Sequence, residues 1–226
     1  MSMGAIWTKI FRNKEVRVLL LGLDSVGKTT LLYRLKLGEF NLVIPTIGFN
    51  VESIQYKDIN FTAWDIGSRD KMRPLFRHYY KGTEAVVIVI DSHDKERLDE
   101  LNHDVIKPAL QAEELSSACF LFLANKCDIE PHMTSEEIQD RLGLRQLKHA
   151  WNLFHVSALR GDGLTEALDW LAFQLGSEEI RRSVTPDSED KVDRTLNDLP
   201  YCSRAYTAIK CFFFRPSRQD KVEDGR

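Results

Sequence analysis

The stretch from Val16 to Leu32 constrains what this chain can fold into more than any other. It opens with an apolar run, Val16–Leu21, whose leucines and β-branched residues predict a buried strand. The next eight residues read GLDSVGKT and match the phosphate-loop pattern G-x-x-x-x-G-K-[ST] without a mismatch, and Thr30–Leu37 has helical character. A strand, a glycine loop and a helix in this order favour a phosphate-binding loop over a chance glycine-rich turn.

The residue types of this loop suit the phosphates of a nucleotide. Gly22 and Gly27 permit backbone angles that other residues resist, so successive N–H groups can surround an anion at a helix N-terminus. The Lys28 ammonium is predicted to reach the β- and γ-phosphates, and the Thr29 hydroxyl to be a ligand of Mg²⁺. The predicted nucleotide-binding residues of this stretch are Gly22, Leu23, Asp24, Ser25, Val26, Gly27, Lys28, Thr29 and Thr30.

Composition limits the class of protein. The chain has 226 residues, 43% of them hydrophobic and 29% charged, which suits one globular domain of about 170–180 residues with an appendage. The net charge of −3 gives no general case for a nucleic-acid partner. No apolar run approaches the roughly 20 residues of a transmembrane helix, and no signal-peptide pattern opens the chain. The four cysteines lack metal-ligand spacing, so we expect a cytosolic protein with reduced thiols, Cys119 among them in the core.

Short apolar runs alternate with helical patterns further along the chain. The pair Lys57-Asp58 predicts a hairpin connection, and the continuous apolar run Ala85–Ile90 predicts a strand buried on both faces. The alternation predicts an α/β fold with a doubly wound, mostly parallel six-stranded sheet that includes one antiparallel hairpin strand. The predicted strands cover residues 16–21, 51–56, 61–64, 85–90, 119–124 and 153–156, and the later helices cover 95–110 with a kink at Pro108, 134–142 with a capping box, and 164–175.

Two further motifs lie where predicted strands end. Asp65 follows the strand that ends at Trp64, and near a phosphate loop such an acid holds Mg²⁺ through water, although alone it is more often a turn or N-cap aspartate. The motif Asn125-Lys126-x-Asp128 follows the strand over 119–124. The Asp128 carboxylate can accept hydrogen bonds from the N1–H and 2-amino groups of guanine, whereas adenine offers no donor there.

The remaining base contacts follow from the same motif. The stem of Lys126 is predicted to lie over the base plane, and Asn125 to tie this loop to the phosphate loop. The backbone N–H of Ala158, which follows Ser157 at a strand end, is predicted to meet guanine O6. Combined with the phosphate loop, the motif predicts GTP and GDP, with Mg²⁺, as the ligands.

Both ends of the chain have patterns that suit a membrane surface. Residues 1–14 are amphipathic with a basic border, and Met3–Thr8 matches the N-myristoylation pattern if Gly4 becomes the first residue; a short helix that caps the domain is the alternative. Residues 177–226 form a polar extension that we expect to be partly disordered. Its basic-aromatic segment, 201–218, contains Cys202 and Cys211 and fits either a palmitoylated membrane contact or docking on the domain.

Together these motifs resemble the Arf and Arf-like small GTPases. The resemblance covers residues 4–175 and rests on the phosphate loop, on Asn125-Lys126-x-Asp128, and on Pro45–Asn50, Trp64–Gly67, Arg73–Leu75, His78–Tyr80 and Gly161–Leu164. It implies the P-loop NTPase small-GTPase fold, with a GTPase domain over residues 15–176. It also implies a cytoplasmic, peripheral-membrane protein of vesicle trafficking, with exchange factors, GTPase-activating proteins and effectors as partners.

The resemblance assigns roles to further residues. Thr46 would be the switch I ligand of Mg²⁺ that senses the γ-phosphate, and Asp65 the switch II acid. The predicted hairpin would be the interswitch, which in the family shifts register between nucleotide states and ejects the N-terminal helix. Phe49, Trp64 and Tyr79 match an exposed aromatic triad that meets effectors; partly buried packing is the alternative.

The match to the family fails shortly after Asp65. The family pattern is Asp-x-Gly-Gly-Gln, and this chain has Ser68 and Arg69 at the last two positions. Ser68 keeps the N–H for the γ-phosphate but lacks the freedom of glycine. Arg69, at the catalytic glutamine position, can stabilise developing phosphate charge as an arginine finger does, but it has no acceptor with which to orient water. Two functions stay open: a switch with slow or assisted GTP hydrolysis, and a GTP-bound scaffold that does not cycle. A P-loop kinase is disfavoured, because the base motif has no task there.

Overall fold

Apolar runs that alternate with helices build one sheet at the centre of the domain. The structure, a computed structural model, describes residues 14–37, 49–57, 59–66 and 73–177. It has strands β1 (Lys14–Leu21), β2 (Phe49–Tyr56), β3 (Ile59–Ile66), β4 (Ala85–Asp91), β5 (Cys119–Asn125) and β6 (Trp151–His155). They form a six-stranded sheet in the order β2–β3–β1–β4–β5–β6, in which only β2 and β3 pair antiparallel. The predicted fold class is confirmed.

Helices lie between most of the strands along the chain. They are α1 (Lys28–Leu37), α2 (Leu98–Leu101), α3 (Lys107–Gln111), α4 (Ser135–Leu142) and α5 (Leu164–Gln174), and short 3₁₀ helices cover Arg73–Tyr79, Glu113–Leu115 and Leu144–Gln146. The capping box predicted for α4 is present: Thr134 Oγ1 accepts from the Glu137 N–H at 3.2 Å, and the Glu137 carboxylate accepts from the Thr134 N–H at 2.9 Å. Within the described ranges, none of the helices has the length and apolar character needed to span a bilayer.

The helix predicted over residues 95–110 differs from the structure. It begins at Leu98 and is interrupted between α2 and α3 by a wider π-helical turn, Asn102–Ile106. Pro108 explains the interruption, because it has no N–H to donate to the carbonyl four residues earlier and its ring crowds that carbonyl. The Lys107 N–H instead donates to the Asn102 carbonyl, five residues earlier, as in a π turn. The predicted kink at Pro108 is therefore a local widening of the helix.

The two central strands fill most of the interior. Every residue of Ala85–Ile90 and of Cys119–Asn125 is buried, as expected for strands that are covered on both faces. Trp170 of α5 is also fully buried. Cys119 is buried, as predicted for a core cysteine, and its Sγ lies 3.9 Å from the Glu84 carbonyl oxygen, to which it donates.

One buried carboxylate fastens the β2–β3 hairpin to the last helix. Asp169 of α5 is 7% exposed, and its Oδ1 accepts hydrogen bonds from the Tyr56 hydroxyl at 2.5 Å and from Lys57 Nζ at 2.7 Å. Both donors lie at the turn of the hairpin, so their bonds fix the turn against α5. We call these contacts of Tyr56 and Lys57 with Asp169 the hairpin clasp. A second ion pair, between Lys36 of α1 and Glu52 of β2, holds the hairpin closer to its middle.

Some sequence predictions concern residues outside the described ranges and stay predictions. They concern residues 1–13 with Gly4, Thr46, Ser68, Arg69, and the extension after Ser177 with its segment 201–218, Cys202 and Cys211.

Replacing Asp169 with alanine removes the acceptor of the hairpin clasp. We expect Asp169→Ala to lower the free energy of unfolding by about 1–3 kcal/mol, because a partly buried ammonium and a tyrosine hydroxyl each lose a charge-assisted partner. Urea denaturation measures the difference. The control is Thr165→Ala, at an exposed position of the same helix, which should change the free energy by less than about 0.5 kcal/mol. Equal losses in the two variants would show that the clasp adds no stability.

Candidate nucleotide-binding site

Parallel pairing of β3, β1, β4, β5 and β6 brings their carboxyl ends to one edge of the sheet. The loops that follow β1, β4, β5 and β6 meet at this edge, together with the last residues of β3. Open α/β sheets bind their ligands in the crevice outside the carboxyl ends of the strands. The described residues that were predicted to bind nucleotide all lie in these loops, in the first turn of α1, or at or near the ends of β3 and β5.

The phosphate loop has the backbone that its glycines predict. Gly22 has a φ of +146°, and a Cβ at this position would lie 2.4 Å from the Val89 carbonyl oxygen. Ser25 has a φ of +62°, which is uncommon for a residue other than glycine. The loop leads directly into α1, where the Leu31 N–H donates to the Gly27 carbonyl at 2.9 Å. A tight loop at a helix N-terminus presents backbone N–H groups to an anion.

Lys28 and Thr29 have the positions that phosphate and magnesium chemistry require. Lys28 is 6% exposed, and its Nζ donates to the carbonyl oxygens of Leu23 at 2.9 Å and Gly22 at 3.4 Å. The ammonium therefore lies within the loop, where phosphate oxygens can replace these carbonyls. The Thr29 hydroxyl donates to Asp65 Oδ2 at 2.5 Å. Hydroxyl and carboxylate oxygens are ligands that Mg²⁺ prefers, so this pair fits the predicted roles of Thr29 as a direct ligand and of Asp65 as a ligand through water.

Asp65 itself is not a turn or N-cap residue. It lies within β3, one position before the strand ends, and is fully buried. Parallel pairing sets it opposite Leu20 near the end of β1, immediately before the phosphate loop. The interpretation of Asp65 as a turn or N-cap aspartate is therefore wrong, because Asp65 is a paired residue of the sheet.

One buried amide joins the phosphate loop to the base motif. Asn125 is the last residue of β5 and is 3% exposed. Its Nδ2 donates to the Val26 carbonyl at 2.8 Å, and its Oδ1 accepts from the Ala158 N–H at 2.9 Å. A Cβ at Gly27 would lie 2.4 Å from this Nδ2, so only glycine leaves space for the amide. The contact that was predicted between Asn125 and the phosphate loop is present.

The Ala158 N–H has a different partner from the predicted one. The sequence predicts that it meets guanine O6, whereas in the structure it donates to Asn125. The turn after β6 brings it there, because the Val156 N–H donates to the Ala124 carbonyl and so extends the pairing of β5 and β6 by one step. The Ala158 N–H thus lies beside the base motif. It can donate to guanine O6 only if it shares its hydrogen between O6 and Asn125 Oδ1, or gives up its hydrogen bond to Asn125 Oδ1.

The remaining residues of the base motif are held by groups from other loops. Lys126 has a φ of +69°, and its Nζ donates to Asp91 Oδ2 at 2.5 Å. A hydrogen bond from the Ser157 hydroxyl holds the pKa of Asp128 below its ordinary value, so this carboxylate is ionised at neutral pH. Burial raises the pKa of the Cys127 thiol, and the charge of Asp128 raises it further, so the thiol stays protonated. Asp128 therefore enters the site as an ionised acceptor.

Arg97 compensates an acid within the phosphate loop. The Asp24 carboxylate adds a negative charge to a loop that is built for anions. Arg97 Nη2 donates to Asp24 Oδ1 at 2.7 Å, and Arg97 Nε donates to Glu100 Oε2 at 2.8 Å. Sequence reasoning missed Arg97 because the pair spans 73 positions and no motif marks it.

Two members of the predicted aromatic triad lie together. The ring centroids of Trp64 and Tyr79 are 5.8 Å apart, and both side chains are half-buried. The Arg17 guanidinium lies 4.3 Å from the Trp64 ring centroid and donates to the Tyr79 carbonyl at 3.2 Å. Phe49 begins β2, where its backbone pairs with Ile66. Sequence reasoning missed Arg17, although a charged residue inside the apolar run of β1 is a signal for a side chain with a specific partner.

Exchanging one atom of Asn125 tests the amide link. Asn125→Asp keeps the acceptor for the Ala158 N–H but places an oxygen against the Val26 carbonyl, so we expect the free energy of unfolding to fall by about 3 kcal/mol. Asn152→Asp is the matched control, because its Oδ1 already accepts from the Leu153 N–H and the change retains that bond. Urea denaturation compares the variants. A loss no larger in Asn125→Asp than in the control would contradict the link.

A model of the ADP-ribosylation factor family matches residues 3–175. Among solved structures, the chain is similar to the Arl6 (BBS3) small GTPase from Trypanosoma brucei with the bound nucleotide analogue GppNp. The identity is 31% with a TM-score of 0.66, over 75% of this chain and 99% of that one. Since the family model spans well over half of its residues, this chain belongs to the Arf family of small GTPases.

Proposed function

We propose that this chain is a guanine-nucleotide switch that binds GTP and GDP with Mg²⁺ and hydrolyses GTP slowly without assistance. The observation that carries the proposal is the buried Asn125 amide, which bonds to Val26 of the phosphate loop and to Ala158 beside the base motif. The two motifs that recognise opposite ends of a nucleotide are therefore joined into one unit. A phosphate loop used for another base would not need this link.

The phosphate end of the nucleotide is held by the loop and the first turn of α1. Backbone N–H groups from Gly22 to Thr30 surround the phosphates, and Lys28 supplies a positive charge. Thr29, together with Thr46, binds Mg²⁺, and Asp65 holds it through water. When bound, this ion offsets the negative charge on the β- and γ-phosphate oxygens.

The base end is recognised by Asp128. Its ionised carboxylate accepts from the N1–H and 2-amino groups of guanine, and a base without these donors leaves a charged acceptor unpaired. The Lys126 stem covers one face of the base, while its ammonium remains with Asp91. The hydrogen bond from the Ser157 hydroxyl lowers the pKa of Asp128 and so favours its ionised form further.

Partner contacts follow from the surfaces outside the nucleotide site. The half-buried cluster of Trp64, Tyr79 and Arg17 offers aromatic faces with a cation beside them, which suits an effector. The family resemblance adds Phe49 as the third aromatic residue of this surface. Exchange factors and GTPase-activating proteins act at the nucleotide edge.

Membrane contact follows from the two ends of the chain. The protein binds a membrane surface through the amphipathic segment 1–14, acylated at Gly4, and through the basic-aromatic segment 201–218. At this surface it recruits effectors in vesicle trafficking.

Exchanging the base specificity tests the role of Asp128. Asparagine presents one acceptor and one donor, and xanthine has an N1–H donor with a carbonyl oxygen in place of the 2-amino group. We therefore expect Asp128→Asn to lose affinity for GDP by about 100-fold or more and to gain affinity for xanthosine diphosphate. Equilibrium titration with both nucleotides measures the exchange.

Asp162→Asn is the control for the base exchange, because it removes an exposed acid whose charge acts on the neighbouring Cys127 and which the base motif does not include. This control should keep the preference for GDP. If Asp128→Asn binds GDP as tightly as the wild type, Asp128 does not read the base.

The Arg69 position decides how fast GTP is hydrolysed. Arginine cannot accept a proton or a hydrogen bond from the attacking water, so we expect Arg69→Gln to raise the single-turnover rate by about tenfold or more. Arg77→Gln, an exposed arginine of the Arg73–Tyr79 helix, is the control and should leave the rate unchanged. A wild-type rate equal to that of Arg69→Gln would contradict slow hydrolysis.

The second candidate function is a GTP-bound scaffold that does not cycle, and the evidence for it is the pair Ser68-Arg69. Wild-type protein that keeps GTP intact for hours would favour this candidate.

A further inference from the structure

The three residues that follow the buried part of β4 contact the base motif at several points. Asp91, Ser92 and His93 lie beside the loop that runs from Asn125 to Met133. We call these three residues the base-loop clamp. The sequence motifs assign no role to them.

Asp91 holds the strained start of the loop. Its Oδ2 accepts from Lys126 Nζ at 2.5 Å, and its Oδ1 accepts from the His93 backbone N–H at 3.1 Å. Lys126 needs such a contact, because a non-glycine residue at a φ of +69° is less stable than in the helical or extended regions. One carboxylate thus connects the lysine of the base motif to the backbone of the clamp.

Ser92 fixes both sides of the loop through its backbone. Its N–H donates to the Asn125 carbonyl at 3.0 Å, and its carbonyl accepts from the Met133 N–H at 2.9 Å. Ser92 is fully buried, so these bonds are shielded from water. The two ends of the loop are therefore held at one place, and the residues between them depend on other contacts.

His93 holds the middle of the loop. The turn from Lys126 to Ile129, closed by the Ile129 N–H donating to the Lys126 carbonyl at 3.1 Å, carries Asp128. His93 Nε2 lies 2.8 Å from the Ile129 carbonyl, and because a carbonyl only accepts, Nε2 is the protonated nitrogen. The Ile129 side chain is 53% exposed, so apolar packing contributes little at this end of the turn. The imidazole bond fixes the residue directly after Asp128.

We propose that His93 is a positioning residue for guanine recognition, which acts by fixing the turn that carries Asp128. The proposal rests on the proposed function of Asp128. The Ser157 hydroxyl holds the Asp128 carboxylate on one side, and His93 holds the backbone on the other. Without the imidazole bond the carboxylate still binds N1–H, but it no longer lies in one position for both N1–H and the 2-amino group. The predicted loss is therefore in specificity for the 2-amino group.

A comparison of GDP with inosine diphosphate, which lacks the 2-amino group, tests this role. The quantity measured is the dissociation constant of inosine diphosphate divided by that of GDP. A fraction of unfolded protein affects both constants equally and therefore does not change this ratio. We expect His93→Ala to lower this ratio about three- to tenfold, as expected for one lost hydrogen bond. His93→Gln places an amide N–H close to the position of ring Nε2 and should restore the ratio to within about twofold of the wild type.

His103→Ala is the matched control, because the His103 side chain is 83% exposed and lies on the π-helical turn away from the base motif. An unchanged ratio in His93→Ala would overturn the proposal, and so would equal losses in His93→Ala and His93→Gln. Wild-type protein that binds neither nucleotide would instead contradict the proposed function itself. The two failures are therefore distinguishable in one set of titrations.

Discussion

The nucleotide edge of this structure depends on the buried side-chain amide of Asn125. An amide offers a donor and an acceptor in fixed geometry, and here the donor meets Val26 of the phosphate loop while the acceptor meets Ala158 of the turn after β6. Burial makes both bonds costly to break, because either partner would be left unpaired. Gly27 leaves the space that the amide occupies. Three loops that are distant in sequence are thus held as one unit, and the geometry that suits a guanine nucleotide follows from this unit.

The same edge collects acids at a place that must receive phosphates. Four of the acids described there have local partners: Asp24 with Arg97, Asp65 with Thr29, Asp91 with Lys126, and Asp128 with Ser157. The partners limit the repulsion that unpaired carboxylates would exert on an anionic ligand. Paired acids also fix the cations and hydroxyls that contact them. The acids of this edge therefore position its binding groups, and only Asp65 and Asp128 are expected to face the ligand, one through Mg²⁺ and one through guanine.

Much of this arrangement could be predicted from the sequence, because strand periodicity and motif spacing are local properties. The apolar runs predict the six strands, and the link from Asn125 to the phosphate loop follows from the motifs themselves. The partner of Lys126 could not be predicted in this way, because Asp91 comes close to it only through the pairing of β4 with β5. The same holds for Arg17, whose position against Trp64 depends on the register of β1 and β3. Sequence motifs therefore do not predict which side chains of neighbouring strands come into contact, because that depends on how the strands pair.

The β2–β3 hairpin is held at both of its ends, which links the nucleotide site to the far side of the domain. At one end of β3, Asp65 accepts from Thr29 beside the phosphate loop; at the other, Tyr56 and Lys57 bond to Asp169 of the last helix. These ends are separated by the length of an eight-residue strand, about 25 Å. A strand that shifts register along its axis, as the family resemblance implies, must move both ends together. If the hairpin shifts in this way, a contact that the γ-phosphate adds at one end competes with the bonds of the hairpin clasp at the other. The Asp169 contacts then add to the nucleotide-binding energy that the shift requires.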